Sequence, residues 1–367
     1  MKLRAMNADV HRAQTEIEPC RLAVPEAALR RLRLRLGRGA ATGEAWDASL
    51  AYAAPFDLVS ELCDYFCHDF DLERLALFDL PTFTTRLDED EWCFVHARSP
   101  ETFAVPLLLL HGYSGSVAEL APLVRPLSNP RAHAGNAHDA FHVVCPALPG
   151  FGLSEGAVDA RAIAEGCAEL MQRLGYLRYV VHGSDLGAQL ALKLAEIDSA
   201  HVAGLHVTAL PAYPSEDASD MASLTSQEKS QLARLSELRQ ELAFQLPESP
   251  IQALAFALAQ LEEAPKPPPN ADWCDALLAS LTLTWALGDP SACRNLYRDT
   301  RLAPAAATTV PLALHAFPLD APSLRRFAER QHRVVEWTEH EHGGALPALE
   351  RPAWLLDSLR NFFGRFR

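Results

Sequence analysis

Tyr179-Val180-Val181-His182-Gly183-Ser184-Asp185-Leu186-Gly187 is the stretch that decides the fold. An apolar, β-branched run ends in a small residue, and a helical pattern from Gly187 to Ile197 starts at once. Glycines two residues before and two after a central side chain permit the sharp strand-to-helix turn that lifts this side chain to the helix N-terminus. The lifted residue is Asp185. Ser184 stands one position early and lacks a glycine at the matching offset, which excludes a serine nucleophile. Asp also caps helices well, so these residues alone leave a purely structural role open.

Outward from this turn the same arrangement recurs. The apolar run Val105 to Leu110 ends in His111-Gly112-Tyr113-Ser114-Gly115-Ser116, where the backbone after the glycine can turn N–H groups into a site. The N–H groups of Tyr113 and Leu186 are then expected to converge as an oxyanion hole. A third loop, Pro146-Ala147-Leu148-Pro149-Gly150-Phe151-Gly152-Leu153-Ser154, follows the run His142 to Cys145. Further short apolar runs span Trp92 to Ala97, Val202 to Val207, Pro311 to Ala316 and Arg333 to Thr338, with helical patterns such as Ala160 to Leu174 between several of them. Strands alternating with helices predict an α/β fold with a mostly parallel sheet covered on both faces.

Two regions depart from this alternation. Residues 20 to 80 carry helical periodicity through Leu29, Leu32, Leu36 and again Leu58, Leu62, Tyr65, Phe66. Residues 212 to 302 lose the strand pattern for helix-forming Leu, Ala, Glu and Gln, broken at Lys266 to Pro269. The expected organisation is an N-terminal helical arm over 1–90, an α/β core over 91–211 and 303–367, and a helical cap over 212–302. Such an insertion lies over the carboxyl edge of the sheet, where open α/β sheets bind ligands.

Composition narrows the partners. With 33 Lys plus Arg against 47 Asp plus Glu, the 367-residue chain carries −14 and offers no basic face for nucleic acid. The run Arg30, Arg31, Arg33, Arg35 reads as a solvated helix face. A hydrophobic content of 49% excludes a disordered chain. Eight cysteines are too dilute for a disulfide scaffold, and the sequence has no signal-peptide pattern, so a cytoplasmic protein is expected. The longest apolar stretch, Phe103 to Leu110, is far short of the roughly 20 residues of a membrane span. Cys63, Cys67 and His68 sit in an apolar helix pattern without a second ligand pair and read as buried structure. No metal and no organic cofactor are expected, the partner is a small apolar organic substrate, and self-association is left open.

Together these motifs resemble the α/β-hydrolases of the microsomal epoxide hydrolase type. The resemblance includes their N-terminal arm, through Val24, Pro25, Leu29, Leu32, Arg35, Leu36, then Asp69-Phe70-Asp71, Leu80-Pro81-Thr82-Phe83-Thr84 and Phe94-Val95-His96. It continues through Gly204-Leu205-His206-Val207 and Leu296-Tyr297 and covers about residues 20 to 365. By position it implies that Asp185 is the nucleophile forming a covalent alkyl ester with an epoxide. It implies that Asp320, after Phe317-Pro318, is the acidic member of the triad, and that Tyr297 is one of two cap tyrosines bonding the epoxide oxygen. The second cap tyrosine has no match: Gln231 stands where one is expected, and Tyr213 is the candidate substitute. Trp285, Tyr213 and His111 are candidates for substrate contact, and Phe244 and Phe256 are cap residues that fill either pocket or cap core.

One position departs from the family. In Gly343-Gly344-Ala345-Leu346-Pro347-Ala348-Leu349-Glu350, the place of the catalytic histidine falls on Ala345. Without an imidazole the ester can form but hydrolyses slowly, since a general base supplies about 10²–10⁴-fold. Three readings remain. The histidine was replaced deliberately, leaving an inactivated variant. It was lost naturally, leaving a ligand-binding homologue or a non-hydrolytic cyclase of secondary metabolism. Or His342 or His340 takes its place, although both read as exposed residues of a charged loop with Glu339 and Glu341.

Overall fold

The computed structural model describes residues 16–42, 54–214, 218–244, 246–262, 272–303 and 307–367. The Pro-rich tract at 266–269 and the side chain of Phe244 lie outside the described set. A nine-stranded sheet forms the centre: β1 (Glu18–Pro19), β2 (Thr82–Leu87), β3 (Asp90–Ala97), β4 (Val105–Leu110), β5 (Phe141–Pro146), β6 (Tyr179–Gly183), β7 (Val202–Val207), β8 (Thr308–Ala316) and β9 (His332–Glu339). Their spatial order is β1-β2-β3-β5-β4-β6-β7-β8-β9. The pairs among β1, β2, β3 and β5 are antiparallel and the remainder parallel.

All seven strands read from the sequence are present. Two more extend the sheet before residue 90: β2, which pairs with β3 from Thr82 opposite Val95 to Leu87 opposite Asp90, and the short β1. The central β4 has all four of its leucines fully buried, as a parallel strand covered on both faces requires.

The helices are α1 (Glu26–Thr42), α2 (Phe56–His68), α3 (Val117–Ser128), α4 (Ala160–Arg173), α5 (Leu186–Ile197), α6 (Ala218–Ala222), α7 (Ser226–Phe244), α8 (Pro250–Ala259), α9 (Asp272–Thr282), α10 (Pro290–Leu302), α11 (Arg325–Gln331), α12 (Pro347–Glu350) and α13 (Pro352–Phe363). Helices α6 to α10 fall between β7 and β8. The two N-terminal helices share one apolar cluster with this insertion, bringing Leu32, Leu36 and Phe66 together with Ile251, Leu254 and Leu277. The Tyr65 hydroxyl donates to Asp275 at 2.8 Å across the same boundary. Of the arginine run on α1, Arg30 is a surface pair with Glu26, but the guanidinium of Arg35 lies 5.3 Å from the Trp285 ring, so part of that face docks on the insertion.

β4 has β5 on one side and β6 on the other, so the order of the parallel strands reverses at β4. Ligands bind outside the carboxyl ends of strands at such a switch point. Leu110 pairs with Gly183 there, which sets the His111–Tyr113 loop directly beside the Ser184–Asp185 turn.

Candidate active site

The turn is built by exclusion of side chains. A Cβ on Gly183 would strike the Gly187 carbonyl, and one on Gly187 would strike the carbonyls of Leu110 and His111. With both absent, Asp185 takes φ 49° and ψ −113°, a strained left-handed conformation for a residue with a side chain. α5 begins at the next residue, Leu186, so its N–H is among those with no partner inside the helix.

Asp185 is completely buried, and each of its oxygens has assigned donors. The Tyr113 N–H donates to Oδ2 at 2.8 Å, and the Tyr297 hydroxyl donates to Oδ1 at 2.8 Å. The Tyr113 ring lies parallel on the Tyr297 ring, with centroids 4.4 Å apart and planes 6° apart. One residue of the β4 loop therefore holds both the carboxylate and the tyrosine that faces it. Burial, reinforced by the charge of Asp185 and opposed by Arg301, holds the Tyr297 hydroxyl well above the usual phenol range.

Asp320, in the loop after β8, accepts from the Thr208 hydroxyl at 3.0 Å and the Ala321 N–H at 2.7 Å. Burial raises its carboxyl to about 6; Asp185 adds to the rise, while Arg301, the Ala321 N–H and Thr208 resist it.

Two charged residues that sequence reasoning passed over complete the site. The Arg301 guanidinium hydrogen-bonds Asp185 Oδ1 and lies 3.6 Å from Asp320 Oδ1, with its side chain 8% exposed. It therefore bridges two buried carboxylates. Glu119, fully buried on α3, accepts the Gly112 N–H and the Ser184 hydroxyl, each at 3.3 Å. Burial, with a further push from Asp185, raises it to about 8 against those two bonds.

Ala345 is buried in the loop between β9 and α12, its N–H donating to the Gln260 carbonyl at 2.9 Å. The Gln260 amide in turn donates to Ser114 Oγ at 3.0 Å, tying this loop to the β4 loop. His342 is exposed and pairs with Glu262 at 2.9 Å. His340 is less exposed than its charged surroundings suggest. Its ring stacks on Phe317 with centroids 4.5 Å apart, and it bonds His315 at 3.1 Å. The bonds of both histidines thus run to groups other than Asp185 and Asp320.

His111 is fully buried, and burial lowers its imidazole to about 4. Nδ1 pairs with the Gly112 carbonyl at 2.9 Å and Nε2 accepts the Leu148 N–H at 3.4 Å, so the ring braces two site loops against each other. Trp285, Tyr113 and Phe256 line a narrow, partly open cleft. Tyr213 is half-buried against the apolar cluster that contains Tyr297. Cys63 packs in the core and Cys67 lies against the Arg33 carbonyl.

Fold and site define a class: an α/β-hydrolase with an aspartate at the strand-to-helix turn and a helical insertion over it. Residues 107–358 match the alpha/beta hydrolase family, and residues 17–120 match the family described as epoxide hydrolase N terminus. An epoxide hydrolase homologue from Stigmatella aurantiaca is 30% identical over 96% of this chain and 86% of its own length. Epoxide hydrolase 1 of Oryctolagus cuniculus is 26% identical over 52% of this chain and 44% of its own. The structure of Aspergillus niger epoxide hydrolase superposes with a TM-score of 0.76 over 96% of this chain and 97% of that one, at 24% identity. That of juvenile hormone epoxide hydrolase from Bombyx mori gives 0.74 over 97% and 96%, at 20% identity. The chain belongs to the epoxide hydrolase family, whose members are hydrolases acting on ether bonds. Among the described residues no helix is long and apolar enough to cross a membrane.

Proposed function

We propose that the protein opens a small apolar organic epoxide by attack of Asp185 on a ring carbon, forming an alkyl ester. The observation that carries this reading is the Tyr297–Asp185–Tyr113 cluster: a carboxylate oxygen faces a phenol that can deliver its proton, while the other oxygen already lies against a backbone N–H. As the carbon–oxygen bond of the ring breaks, its electron pair goes to the ring oxygen, which takes the Tyr297 proton and becomes a hydroxyl. The Tyr113 and Leu186 N–H groups polarise the ester carbonyl. The cleft lined by Tyr113, Phe256 and Trp285 supports an apolar substrate.

With Ala345 at the base position and Arg301 between Asp185 and Asp320, water attack on the ester is the slow step. Natural loss of the histidine accounts for a guanidinium that satisfies both carboxylates better than a recent replacement does. The same observation favours a second reading, in which an internal hydroxyl of the substrate, rather than water, completes the reaction and a ring forms. The test is intact-protein mass after incubation with styrene oxide: a stoichiometric adduct that Asp185→Asn abolishes is expected. Unchanged labelling in Asp185→Asn sinks the assignment, and a cyclic product rather than a diol selects the second reading.

A further inference from the structure

The negative charge of the proposed ring opening starts on Asp185 and ends on Tyr297, and one cation touches both positions. Arg301 hydrogen-bonds Asp185 Oδ1 and lies 3.4 Å from the Tyr297 hydroxyl oxygen. The two residues are one turn apart on α10, with the guanidinium carbon 5.3 Å from the Tyr297 ring centre. The Arg301 Nε is buried without a partner among the described residues. A buried donor left unmatched costs about 1–3 kcal/mol, so a position that keeps one is suited to an acceptor that arrives with substrate. Within reach of Asp185, the acceptor that arrives is the epoxide oxygen.

We infer that Arg301 is a further catalytic residue, which with Tyr297 forms the acid that opens the ring and so takes the part of the second cap tyrosine that the sequence does not match. This rests on the Asp185–epoxide reading above. When Asp185 Oδ1 attacks carbon, its charge is consumed in the new carbon–oxygen bond, and the ring oxygen takes the proton of Tyr297. The phenolate left behind inherits Arg301 as counter-ion, and regains its proton from solvent. The guanidinium is fixed before the reaction and needs no reorganisation as the charge moves, which is the condition under which such donors act most strongly. Arg301 serves ring opening and gives no assistance to water, because guanidinium has no lone pair to take a proton.

The test separates this role from mere charge balance. Rates of single-turnover ester formation with styrene oxide, read by quenched intact mass, are measured from pH 6 to 9 for the parent chain and for Arg301→Lys, Arg301→Met and Arg301→Gln. Loss of a neighbouring cation in general makes a carboxyl group ionise at higher pH, a deficit that alkaline conditions make good. A variant that loses only this function therefore recovers the parental rate at high pH. The inference expects Arg301→Met and Arg301→Gln to level off about 10²-fold below the parent at their high-pH plateau, the usual cost of one fixed donor. Arg301→Lys is expected to stay within about tenfold, and the two neutral variants guard against one failing to fold. Full recovery of either folded neutral variant at high pH overturns the inference and leaves the ester reading standing. Absence of both adduct and diol in the folded parent chain overturns that reading and this one with it.

Discussion

Glu119→Gln isolates the proton that the fold stores beside Asp185. Glu119 is buried between the Gly112 N–H and the Ser184 hydroxyl, and its carboxyl is raised to about 8 from an ordinary 4.5. It is an acid whose folded value exceeds its unfolded one. The folded protein thus keeps a proton that the unfolded chain releases, and this stabilisation is fully present below about 4.5 and lost as pH rises through about 8. Integrated from pH 6 to 9 the loss corresponds to roughly two pH units at 1.4 kcal/mol each, or about 3 kcal/mol. Neutral buried histidines such as His111 and His182, both lowered to about 4 by burial, change stability with the opposite sign near pH 6. The informative quantity is therefore the difference between parent and variant, in which the histidines cancel. Gln keeps the acceptor for Gly112 and nearly the same volume but cannot ionise, so the two proteins should lie within about 1 kcal/mol at pH 6. By pH 9 the variant should have gained roughly 3 kcal/mol on the parent. Urea unfolding followed by tryptophan fluorescence at pH 6, 7, 8 and 9 measures this. Parallel stability curves across that range would refute the claim that Glu119 holds its proton in the fold.

Three further outcomes follow from the same geometry. Ala345→His should raise the rate of ester hydrolysis by about 10²–10⁴-fold, measured as diol release from the preformed adduct; no increase would mean that Arg301 keeps the imidazole from reaching water. Tyr297→Phe should slow adduct formation by about 10²-fold while leaving the melting temperature nearly unchanged, and an unaltered rate would remove Tyr297 as the proton donor. Gly187→Ala drives a methyl group into the Leu110 and His111 carbonyls, and should cost about 3 kcal/mol or prevent folding, read from urea unfolding; a variant as stable as the parent would contradict the close approach that defines the turn.

The parts legible in the sequence are those whose physics is local. β4, β5, β6 and β7 are buried on both faces and announce themselves as short apolar runs. The turn at Asp185 announces itself because only glycine fits at 183 and 187. β2 escaped because Thr82-Phe83-Thr84-Thr85-Arg86-Leu87 buries too little for a clear pattern, and its strand character comes from pairing with β3. Glu119 left a signal: it stands among Val117, Ala118, Leu120 and Ala121, all buried, in a largely apolar helix.

Arg301 left none. It sits in the charged segment Arg298-Asp299-Thr300-Arg301 on a strongly amphipathic helix, where an arginine ordinarily belongs to the solvated face. What removes it from water is that α10 crosses the carboxyl end of β6, so the side chain one turn beyond Tyr297 meets Asp185 from above while Asp320 reaches it from the β8 loop. Those partners lie 116 and 19 residues away in sequence, and the packing of the insertion on the sheet brings all three together. The missing histidine points the same way. Ala345 reads as a loss only against the family's pattern, whereas the structure shows a cation in contact with one of the carboxylates an imidazole would join and close to the other. A buried cation between two buried carboxylates is retained because removing it strands charge at a cost of about 3–5 kcal/mol, so a site of this kind resists drifting back to the histidine arrangement one substitution at a time. Ala345→His and Arg301→Met are then expected to act on different steps, the first on diol release and the second on adduct formation, so that their effects combine independently in the double variant.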